Sequence, residues 1–238
     1  MMLSMLVPVY NGASFLEPCI EELTRWQSEE ARTSEIIVCE DGSTDGTKQL
    51  CGVLKARYPS VRFIHEDMRL GRGGALRRAA LSAHGDVLVY VDVDMASDPR
   101  FLDRVIGEAM NGSDVVTGSR YLSQSRSTRS FMRFACSKAY NLLVRVLFRS
   151  PIRDHQCGFK AFRREVLREV LPTVRSNHWF WDTEFLVRAT KQGFRVTEVP
   201  IAWSECEDGT TVRLRDDIPY FLREVLSLWK EFRSHKAS

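Results

Sequence analysis

Residues 86–94 combine a short apolar run with two carboxylates spaced one residue apart. The run Val87–Val91 predicts a strand buried on both faces, as in a parallel sheet covered by helices. In open α/β sheets, ligands bind just beyond the carboxyl ends of the strands. Asp92 and Asp94 lie at that position, and the alternation of an extended backbone directs both side chains the same way. Such a pair suits a hard divalent cation that also holds phosphates, although a chance pair in a solvated turn has the same spacing.

Strand and helix patterns alternate along the first half of the chain. Strand patterns occur at Leu3–Val9, Glu35–Glu40, Val61–Glu66, Asp86–Asp92 and Asp114–Gly118. Helical patterns lie between them, near Ser14–Gln27, Thr44–Tyr58, Gly73–Ala83 and Asp98–Met110. Alternation with short connections predicts an α/β fold with a mostly parallel central sheet flanked by helices. After Gly118 the pattern changes to a polar loop, a basic amphipathic helix, and a mixed segment that ends in another helix.

Length and composition limit the class of protein. With 238 residues, 44% of them hydrophobic, the chain can bury a substantial core. The six cysteines form no CxxC pair and have no metal-ligand spacing with the histidines, which predicts reduced thiols in a cytoplasmic protein. We expect no secretory leader in the first residues and no membrane-spanning stretch, and so a soluble or peripheral protein.

The net charge of +3 conceals an uneven distribution. Twelve basic residues lie between positions 120 and 168, opposed by two acidic ones, Asp154 and Glu165. The basic residues are Arg120, Arg126, Arg129, Arg133, Lys138, Arg145, Arg149, Arg153, Lys160, Arg163, Arg164 and Arg168. The block suggests a polyanionic partner such as phosphates, an anionic membrane surface or nucleic acid. An ordinary solvated surface remains the alternative.

Several predicted strand ends carry residues suited to a nucleotide. Tyr10 and Asn11 follow the first strand, and the second ends in residues 40–47, Glu-Asp-Gly-Ser-Thr-Asp-Gly-Thr. Residues 40–47 also fit a turn whose side chains cap the next helix. Gly71 and Gly73 lie in a glycine-rich segment that opens a helix, where backbone amides can meet a diphosphate or ribose. Because this segment is not GxGxxG and follows the third strand, a dinucleotide-binding oxidoreductase is disfavoured.

These residues together resemble the family 2 glycosyltransferases, which have the GT-A nucleotide-sugar fold. The motifs are VPVYNG at 7–12, EDGSTDGT at 40–47, LGRGGAL at 70–76, DVD at 92–94, GSRY at 118–121, RDHQCGFKAF at 153–162 and WDTEFL at 181–186. The series is most similar to the polyprenyl-phosphate hexosyltransferases, such as the dolichyl-phosphate mannose and glucose synthases. It covers about nine tenths of the chain, in order.

The resemblance implies a donor site. Pro8, Tyr10, Glu40 and Asp41 would surround the nucleobase and ribose, with Gly71 and Gly73 in the glycine-rich segment. Asp92 and Asp94 would hold Mg²⁺ or Mn²⁺ on the donor diphosphate, with Val93 between them in the same site. Many relatives have two aspartates where this chain has Glu40 and Asp41, and mannose synthases often have Gln where this chain has Ala96. The alanine favours UDP-glucose over GDP-mannose as donor.

The acceptor side is less defined. A hydroxyl acceptor needs a general base, whereas a lipid monophosphate is already an anionic nucleophile that cations position. Candidates for phosphate contact are Arg120, Arg129, Arg133, Asp154 and Arg213, with Asp154 contacting donor hydroxyls or orienting an arginine. Asp182 and Glu184 resemble the family's acidic pair, which serves as base or sugar ligand. Their alternative is exposure or pairing with Arg188. We expect residues 205–213 to form a lid over the site or an ordinary loop.

Two segments have amphipathic helical patterns. In residues 138–149 the cations Lys138, Arg145 and Arg149 border an apolar stripe, which fits a helix at a lipid headgroup layer or a helix packed on the sheet. A second such helix covers Asp217–Arg233. We expect a catalytic domain at 1–215, with a nucleotide-binding half at 1–119 and an acceptor half at 120–215. A C-terminal amphipathic helix would occupy 216–238.

The leading hypothesis is an inverting, metal-dependent transferase that moves a hexose from UDP-glucose or GDP-mannose to a polyprenyl phosphate. It would act peripherally on the cytoplasmic face of a membrane, alone, as a homo-oligomer or with a membrane partner, and without nucleic acid. The first alternative is transfer to a hydroxyl of a glycan or small molecule, with Asp182 or Glu184 as base. The second is a non-catalytic binder of anionic lipid or nucleic acid.

Overall fold

The computed structural model describes residues 1–30, 32–128, 130–204 and 214–234, the side chains of the last range from residue 217 onward. Seven strands form the central sheet: β1 Leu3–Val9, β2 Ser34–Asp41, β3 Val61–Glu66, β4 Val87–Val91, β5 Val115–Ser119, β7 Phe159–Arg163 and β8 Val196–Pro200. Their order in the sheet is β3-β2-β1-β4-β7-β5-β8. β6 Arg126–Thr128 and β9 Ala202–Ser204 form a separate parallel pair.

The sheet is mostly parallel, as the sequence predicted. Strand β7 runs antiparallel to both of its neighbours, β4 and β5, and the other neighbouring pairs are parallel. Every residue of β4 is buried, which explains why its sequence is a continuous apolar run instead of an alternating one. The sheet takes strands from both sides of position 119.

Eight α-helices surround the sheet in the described part of the chain. They are α1 Ala13–Glu29, α2 Thr47–Arg57, α3 Arg72–Ser82, α4 Leu102–Met110, α5 Phe131–Phe148, α6 Arg164–Val170, α7 Trp181–Lys191 and α8 Leu214–Ser234. One face of the sheet packs against α1, α2 and α4, and the other against α3, α6 and α7. Helix α1 shows why: its buried residues Leu16, Cys19, Ile20 and Leu23 recur at helical spacing.

Two predicted helix starts differ from the structure. Helix α2 begins at Thr47 and not at Thr44, because Gly46 adopts a positive φ of 94° and the Asp45 carboxylate accepts the Thr47 N–H at 3.0 Å. Asp98 caps a single helical turn, Pro99–Phe101, that precedes α4. Both cases arise from local turn chemistry, which apolar periodicity does not reveal.

Helices α5 and α8 pack together with α7 in a third apolar cluster. Its buried members are Val144, Phe148, Phe180, Val187, Val225 and Leu228. One face of each predicted amphipathic helix is therefore part of a protein core. No helix in the described ranges is both long and apolar enough to cross a bilayer.

Candidate active site

The loops after β1 and β2 are joined by hydrogen bonds at the carboxyl edge of the sheet. Asn11 N–H donates to Ser43 Oγ at 3.0 Å, and Asn11 Oδ1 accepts the Thr44 N–H at 2.8 Å. Gly12 N–H donates to Thr47 Oγ1 at 3.0 Å. The two motifs that the sequence placed in the donor site thus form one structural unit.

Glu40 and Asp41 are both buried at the end of β2. Glu40 accepts the Ser43 N–H at 2.5 Å and contacts His65. Burial alone would raise the pKa of Glu40, but these contacts outweigh it and lower that pKa. Both carboxylates hold neighbouring loops in place, and their role toward a nucleobase stays a prediction.

Asp41 fixes the glycine-rich segment. Its carboxylate accepts the N–H groups of Leu70 at 2.6 Å and Gly71 at 2.9 Å. Gly71 has a positive φ of 88°, and a Cβ there would lie 2.4 Å from Nδ1 of His178. A Cβ at Gly73 would lie 2.5 Å from Cβ of Trp181. These glycines allow the start of α3 to pack directly against residues 177–181, so their immediate role is close packing.

Tyr10 and Pro8 lie at the end of β1. Pro8 is buried within the strand, whereas Tyr10 is partly exposed. The Arg69 guanidinium stacks on the Tyr10 ring, 3.8 Å from its centroid. A partly exposed aromatic ring with a stacked arginine suits a flat, anionic ligand, and this agrees with the predicted nucleotide site without testing it.

Two residues, Arg72 and Tyr90, donate hydrogen bonds to one oxygen of Asp92. Arg72 Nη2 lies 2.9 Å and Nε 3.2 Å from Oδ1, and the Tyr90 hydroxyl donates to the same oxygen at 2.9 Å. Oδ2 receives one longer contact, from Arg72 Nη2 at 3.2 Å. A Cβ on Gly158 would lie 1.7 Å from Oδ2, so glycine is required beside this oxygen.

Asp94 lies in a different environment. It accepts the Ala96 N–H at 3.1 Å and has no cationic partner in the described part of the chain. Burial and the negative charge of Asp92 raise the pKa of Asp94 to about 6. A partly buried carboxylate that forms no ion pair with any described residue, beside a second carboxylate, is a suitable place for a cation. No group of three or more His, Cys, Asp or Glu side chains in the described ranges forms a complete metal centre.

These two carboxylates fit a divalent ion that is shared with a ligand. Both supply hard oxygen atoms, and because no third His, Cys, Asp or Glu of the described residues joins them, coordination positions are left for phosphate oxygens and water. Mg²⁺ and Mn²⁺ favour such sites, in which one or two carboxylates act together with substrate phosphates.

The structure separates the acidic pair of α7. Asp182 is buried, with Oδ2 2.7 Å from Arg72 Nη1 and Oδ1 2.7 Å from Lys160 Nζ. Arg72 therefore bridges Asp92 and Asp182. Its guanidinium also lies over the rings of Tyr90 and Trp179, 5.0 and 4.9 Å from their centroids.

Glu184 belongs to a different set of contacts. It accepts the N–H groups of Arg175 and Ser176, and its Oε1 lies 2.7 Å from Arg188 Nη2. Arg188 in turn pairs with Glu231 of α8 at 3.0 Å. Glu184 thus connects α7 to its preceding loop and to α8, which is the pairing with Arg188 that the sequence left open.

Arg120 and Asp154 form a buried ion pair. Arg120 donates to Asp154 through its backbone N–H at 3.0 Å, Nε at 2.7 Å and Nη2 at 2.8 Å. Burial would raise the pKa of Asp154, but Arg120 outweighs it and lowers that pKa to about 2. The Arg120 guanidinium also lies 5.5 Å from the ring centroid of Trp203. Asp154 orients an arginine here, one of its two predicted roles.

The remaining predicted site residues are partly buried or lie outside the described residues. Val93 is partly buried and packs against the apolar core between the sheet and helices α1, α2 and α4. Arg133 is partly buried in the first turn of α5. Arg129, Arg213 and the predicted lid at 205–213 lie outside the described residues.

Four site residues had no predicted role. Arg72, Tyr90, Gly158 and Lys160 hold or flank Asp92 and Asp182. Three of them fall inside recognised motifs, LGRGGAL and RDHQCGFKAF. The sequence did contain a signal for Lys160, because this lysine lies in the apolar pattern of β7 and a buried lysine needs an anionic partner.

Comparison with known proteins gives a family. The chain matches the model for glycosyl transferase family 2 over residues 4–171. It is 44% identical over 231 residues to the glycosyltransferase AglD of Haloferax volcanii, covering 95% of this chain and 36% of that protein. It is 30% identical over 249 residues to a dolichyl-phosphate beta-glucosyltransferase of Dictyostelium discoideum, covering 96% of this chain and 76% of that one.

Solved structures share the fold. Glucosyl-3-phosphoglycerate synthase from Mycobacterium tuberculosis, in complex with UDP, aligns with a TM-score of 0.70 at 19% identity, covering 96% of this chain and 78% of that one. Mannosyl-3-phosphoglycerate synthase from Rubrobacter xylanophilus aligns with a TM-score of 0.72 at 17% identity, covering 99% and 75%. With its sheet topology, its strand-end carboxylates and the family match over most of its length, the chain belongs to glycosyl transferase family 2 and has the GT-A fold.

Proposed function

We propose that this protein is an inverting transferase that moves one hexose from a nucleotide sugar to a polyprenyl phosphate. The observation that carries the proposal is that both acidic residues of α7 are paired with cations. Asp182 is paired with Arg72 and Lys160, and Glu184 with Arg188. A buried carboxylate held by cations is a poor general base, because protonation would leave those cations unpaired. A phosphate acceptor needs no base, whereas a hydroxyl acceptor does.

The donor is proposed to be UDP-glucose. Relatives named dolichyl-phosphate beta-glucosyltransferase support a glucosyl donor, and so does Ala96 at the position where mannose synthases often have glutamine. The nucleotide would lie between the joined loops after β1 and β2 and the glycine-rich segment, with its base near Tyr10. Pro8, Glu40 and Asp41 would shape that end of the site, and Gly71 and Gly73 the other.

Asp92 and Asp94 would hold Mg²⁺ or Mn²⁺ together with the donor diphosphate. When bound, such an ion acts as a Lewis acid toward the charge that develops on the leaving diphosphate. Arg72 and Tyr90 fix Oδ1 of Asp92, and this orients the carboxylate before any ligand arrives. Preorganised charge of this kind is the main way in which such a site lowers a barrier.

The acceptor phosphate is proposed to contact the basic segment between β5 and α5. Arg133 lies at the start of α5, and Arg129 and Arg213 complete the proposed set. Arg120 contributes through its ion pair with Asp154, which holds the end of β5 against the loop at 153–156. Arginine suits this task because its planar guanidinium binds phosphate oxygens in pairs.

The reaction is proposed to take place at the cytoplasmic face of a membrane, where a polyprenyl acceptor is anchored. The five described cysteines are free thiols, in keeping with a reducing compartment. Contact with the membrane would be peripheral.

The proposal is tested by donor turnover with Mn²⁺. UDP-glucose and GDP-mannose are supplied separately, each with and without a short polyprenyl phosphate. We expect UDP release that requires the lipid phosphate and yields a lipid-linked glucose. Release that ignores the lipid phosphate but responds to hydroxyl acceptors would overturn the acceptor, and turnover of GDP-mannose alone would overturn the donor. Asp92→Asn serves as the inactive control.

A further inference from the structure

The loop that carries Asp94 is hydrogen-bonded to β9, a strand outside the central sheet. Two backbone hydrogen bonds join them, from the Ser204 N–H to the Ala96 carbonyl at 2.9 Å and from the Asp98 N–H to the Ala202 carbonyl at 3.0 Å. Between these bonds, Ser97 and Trp203 form an antiparallel bridge. Because the Asp94 carboxylate accepts the Ala96 N–H, its position depends on where β9 holds this loop.

The loop needs such support, because its backbone is strained. Met95 follows Asp94 directly and has a φ of 49°, in the left-handed region that residues other than glycine seldom adopt. The Met95 N–H donates to the Asp92 carbonyl at 3.0 Å and closes a tight turn between the two carboxylates. A strained backbone persists only where the surrounding structure fixes it.

Strand β9 is itself fixed along its other edge. There it pairs in parallel with β6, with Arg126 opposite Ala202 and Thr128 opposite Ser204. The Arg126 N–H also donates to the carbonyl of Ile201, a fully buried residue just before β9, at 3.0 Å. The loop after β4 is therefore attached to an anchored strand and not to a free segment.

The side chain of Trp203 reaches the opposite side of the metal carboxylates. Its ring centroid lies 5.5 Å from the guanidinium carbon of Arg120, within the range of a cation–π contact. Arg120 is held by its ion pair with Asp154. Four positions after Asp154 comes Gly158, which lies so close to Oδ2 of Asp92 that it has no room for a Cβ.

Together these contacts surround the two carboxylates. They pass from Asp92 to Asp94 through six residues that we call the frame, namely Gly158, Asp154, Arg120, Trp203, Ser97 and Ala96. Like charges repel, so the two carboxylates push apart the loops that carry them when no ion lies between them. Trp203 opposes this movement, because its backbone pairs with one loop and its ring contacts the arginine that holds the other.

We propose that Trp203 is a positioning residue that fixes the separation of Asp92 and Asp94 for a divalent ion. Residues behind the ligands of a metal ion orient those ligands and raise the affinity of the site. The inference rests on the proposed function, from which it takes the ion at these two carboxylates. It also gives Arg120 a task on the donor side, because the same guanidinium that pairs with Asp154 contacts the Trp203 ring.

The test is Mn²⁺ binding to the full chain, with and without UDP, followed by electron paramagnetic resonance. Trp203→Leu keeps an apolar side chain but removes the ring beside Arg120. We expect its dissociation constant for Mn²⁺ with UDP to rise about tenfold. Trp203→Phe keeps an aromatic ring and should bind Mn²⁺ like wild type. In turnover, the KM for Mn²⁺ should rise in Trp203→Leu, and saturating Mn²⁺ should restore most of kcat.

Trp229→Leu is the matched control. Trp229 is also partly buried and lies beside an arginine, with the guanidinium carbon of Arg233 4.6 Å from its ring centroid, but it packs in the third cluster. Its replacement should lower the midpoint temperature of unfolding and leave Mn²⁺ binding unchanged. Equal weakening of Mn²⁺ binding in Trp203→Leu and Trp229→Leu would mean a general loss of stability and would overturn the inference.

A second pair of variants serves if Trp203→Leu does not fold. Ser204→Pro removes the N–H that the Ala96 carbonyl accepts and keeps the Trp203 ring, whereas Ser204→Ala keeps that N–H. We expect weaker Mn²⁺ binding in the proline variant alone, and equal binding by the two would contradict the role of β9.

The wild-type protein separates the two proposals. If it binds Mn²⁺ with UDP and Trp203→Leu binds equally well, the inference about Trp203 is wrong and the proposed function stands. If wild type binds no Mn²⁺ even with UDP, the metal role of Asp92 and Asp94 in the proposed function is wrong, and the inference falls with it.

Discussion

Arg72 and Asp92 are joined by three contacts, with Nη2 2.9 Å from Oδ1, Nε 3.2 Å from Oδ1 and Nη2 3.2 Å from Oδ2. Because Nη1 of the same guanidinium lies 2.7 Å from Asp182, the arginine holds carboxylates from β4 and α7 in one arrangement. The first residue of α3 thus fixes the geometry at the end of β4. A planar, forked cation is needed for this, since a point charge reaches one carboxylate at a time.

Replacing Arg72 tests this bridge. In Arg72→Met, Asp92 loses its anchor, and we expect kcat/KM to fall about 100-fold because small displacements of a site group have effects of that size. Breaking the buried pairs should also lower the free energy of unfolding by about 3 kcal/mol. Arg72→Lys should recover part of the stability but little of the activity. Steady-state kinetics and urea denaturation measure the two effects, and full activity in Arg72→Lys would contradict the bridging role.

Gly158→Ala tests the space beside Asp92. The added Cβ would lie 1.7 Å from Oδ2, so the carboxylate has to move. We expect kcat/KM to fall about 100-fold. Mn²⁺ binding, followed by electron paramagnetic resonance, should weaken as well.

Gly107→Ala is the matched control for this change. Gly107 lies within α4, and a Cβ there meets nothing within 4 Å. The control should keep its activity and gain about 0.5–1 kcal/mol of stability, since alanine is the better helix former. Similar kinetics in the two variants would show that the position of the Asp92 carboxylate does not depend on having glycine at position 158.

Exchanging the two acids of α7 for amides should separate their roles. Asp182→Asn leaves Arg72 and Lys160 without a shared anion inside the site, so kcat should fall steeply. Glu184→Gln disturbs contacts with Arg188 and the loop before α7, so the midpoint temperature of unfolding should fall while kcat stays unchanged. Parallel measurements of kcat and thermal unfolding decide the matter. A loss of kcat in Glu184→Gln without loss of stability would show that Glu184 acts in catalysis after all.

His155 should make stability depend on pH in mildly acidic solution. Its Nδ1 faces Asn141 Oδ1 and its Nε2 faces the Ser150 hydroxyl, both at 2.9 Å, an arrangement that suits the neutral ring. Burial lowers the pKa of His155 from 6.5 to about 3. Below pH 6.5 His155 therefore binds a proton in the unfolded chain but not in the folded chain. The free energy of unfolding falls as the pH falls.

The measurement is urea denaturation of wild type and His155→Gln at several pH values between 6.5 and 4.5. Carboxyl groups that titrate in this range are present in both proteins and cancel in the comparison. Well below pH 6.5 the free energy of unfolding of wild type should fall by up to about 1.4 kcal/mol per pH unit more than that of the variant. Identical slopes would show that His155 is protonated in the folded state.

The sequence predicted most of the strands and helices because their signals are local. β4 is an unbroken apolar run, and α1 has regular helical spacing. The position of β7 was not predictable in this way, since its pairing with β4 joins residues far apart in the chain. The same limit applies to the site. The motifs identified Asp92 and Asp182, but the link between them depends on Arg72, which only the folded chain brings between the two.

Glu184 shows a related limit. Two positions separate it from Asp182, and on a helix this spacing turns the two side chains to opposite sides. Although the two acids are close in the motif, Asp182 lies in the site and contacts Arg72, whereas Glu184 is linked through Arg188 to α8. Arg188, four positions further on, was the local sign of this difference.

The antiparallel strand β7 also affects the order in which the chain can fold during synthesis. β1 to β4 can pair among themselves as soon as they leave the ribosome, because β2, β3 and β4 each pair with a strand made earlier. β5 has to wait, since both of its neighbours, β7 and β8, are synthesised later. Until then, the edges of β4 and β5 remain open to pairing with other chains. The nascent protein is therefore most vulnerable to aggregation after β5 has been made and before β7 is inserted beside it.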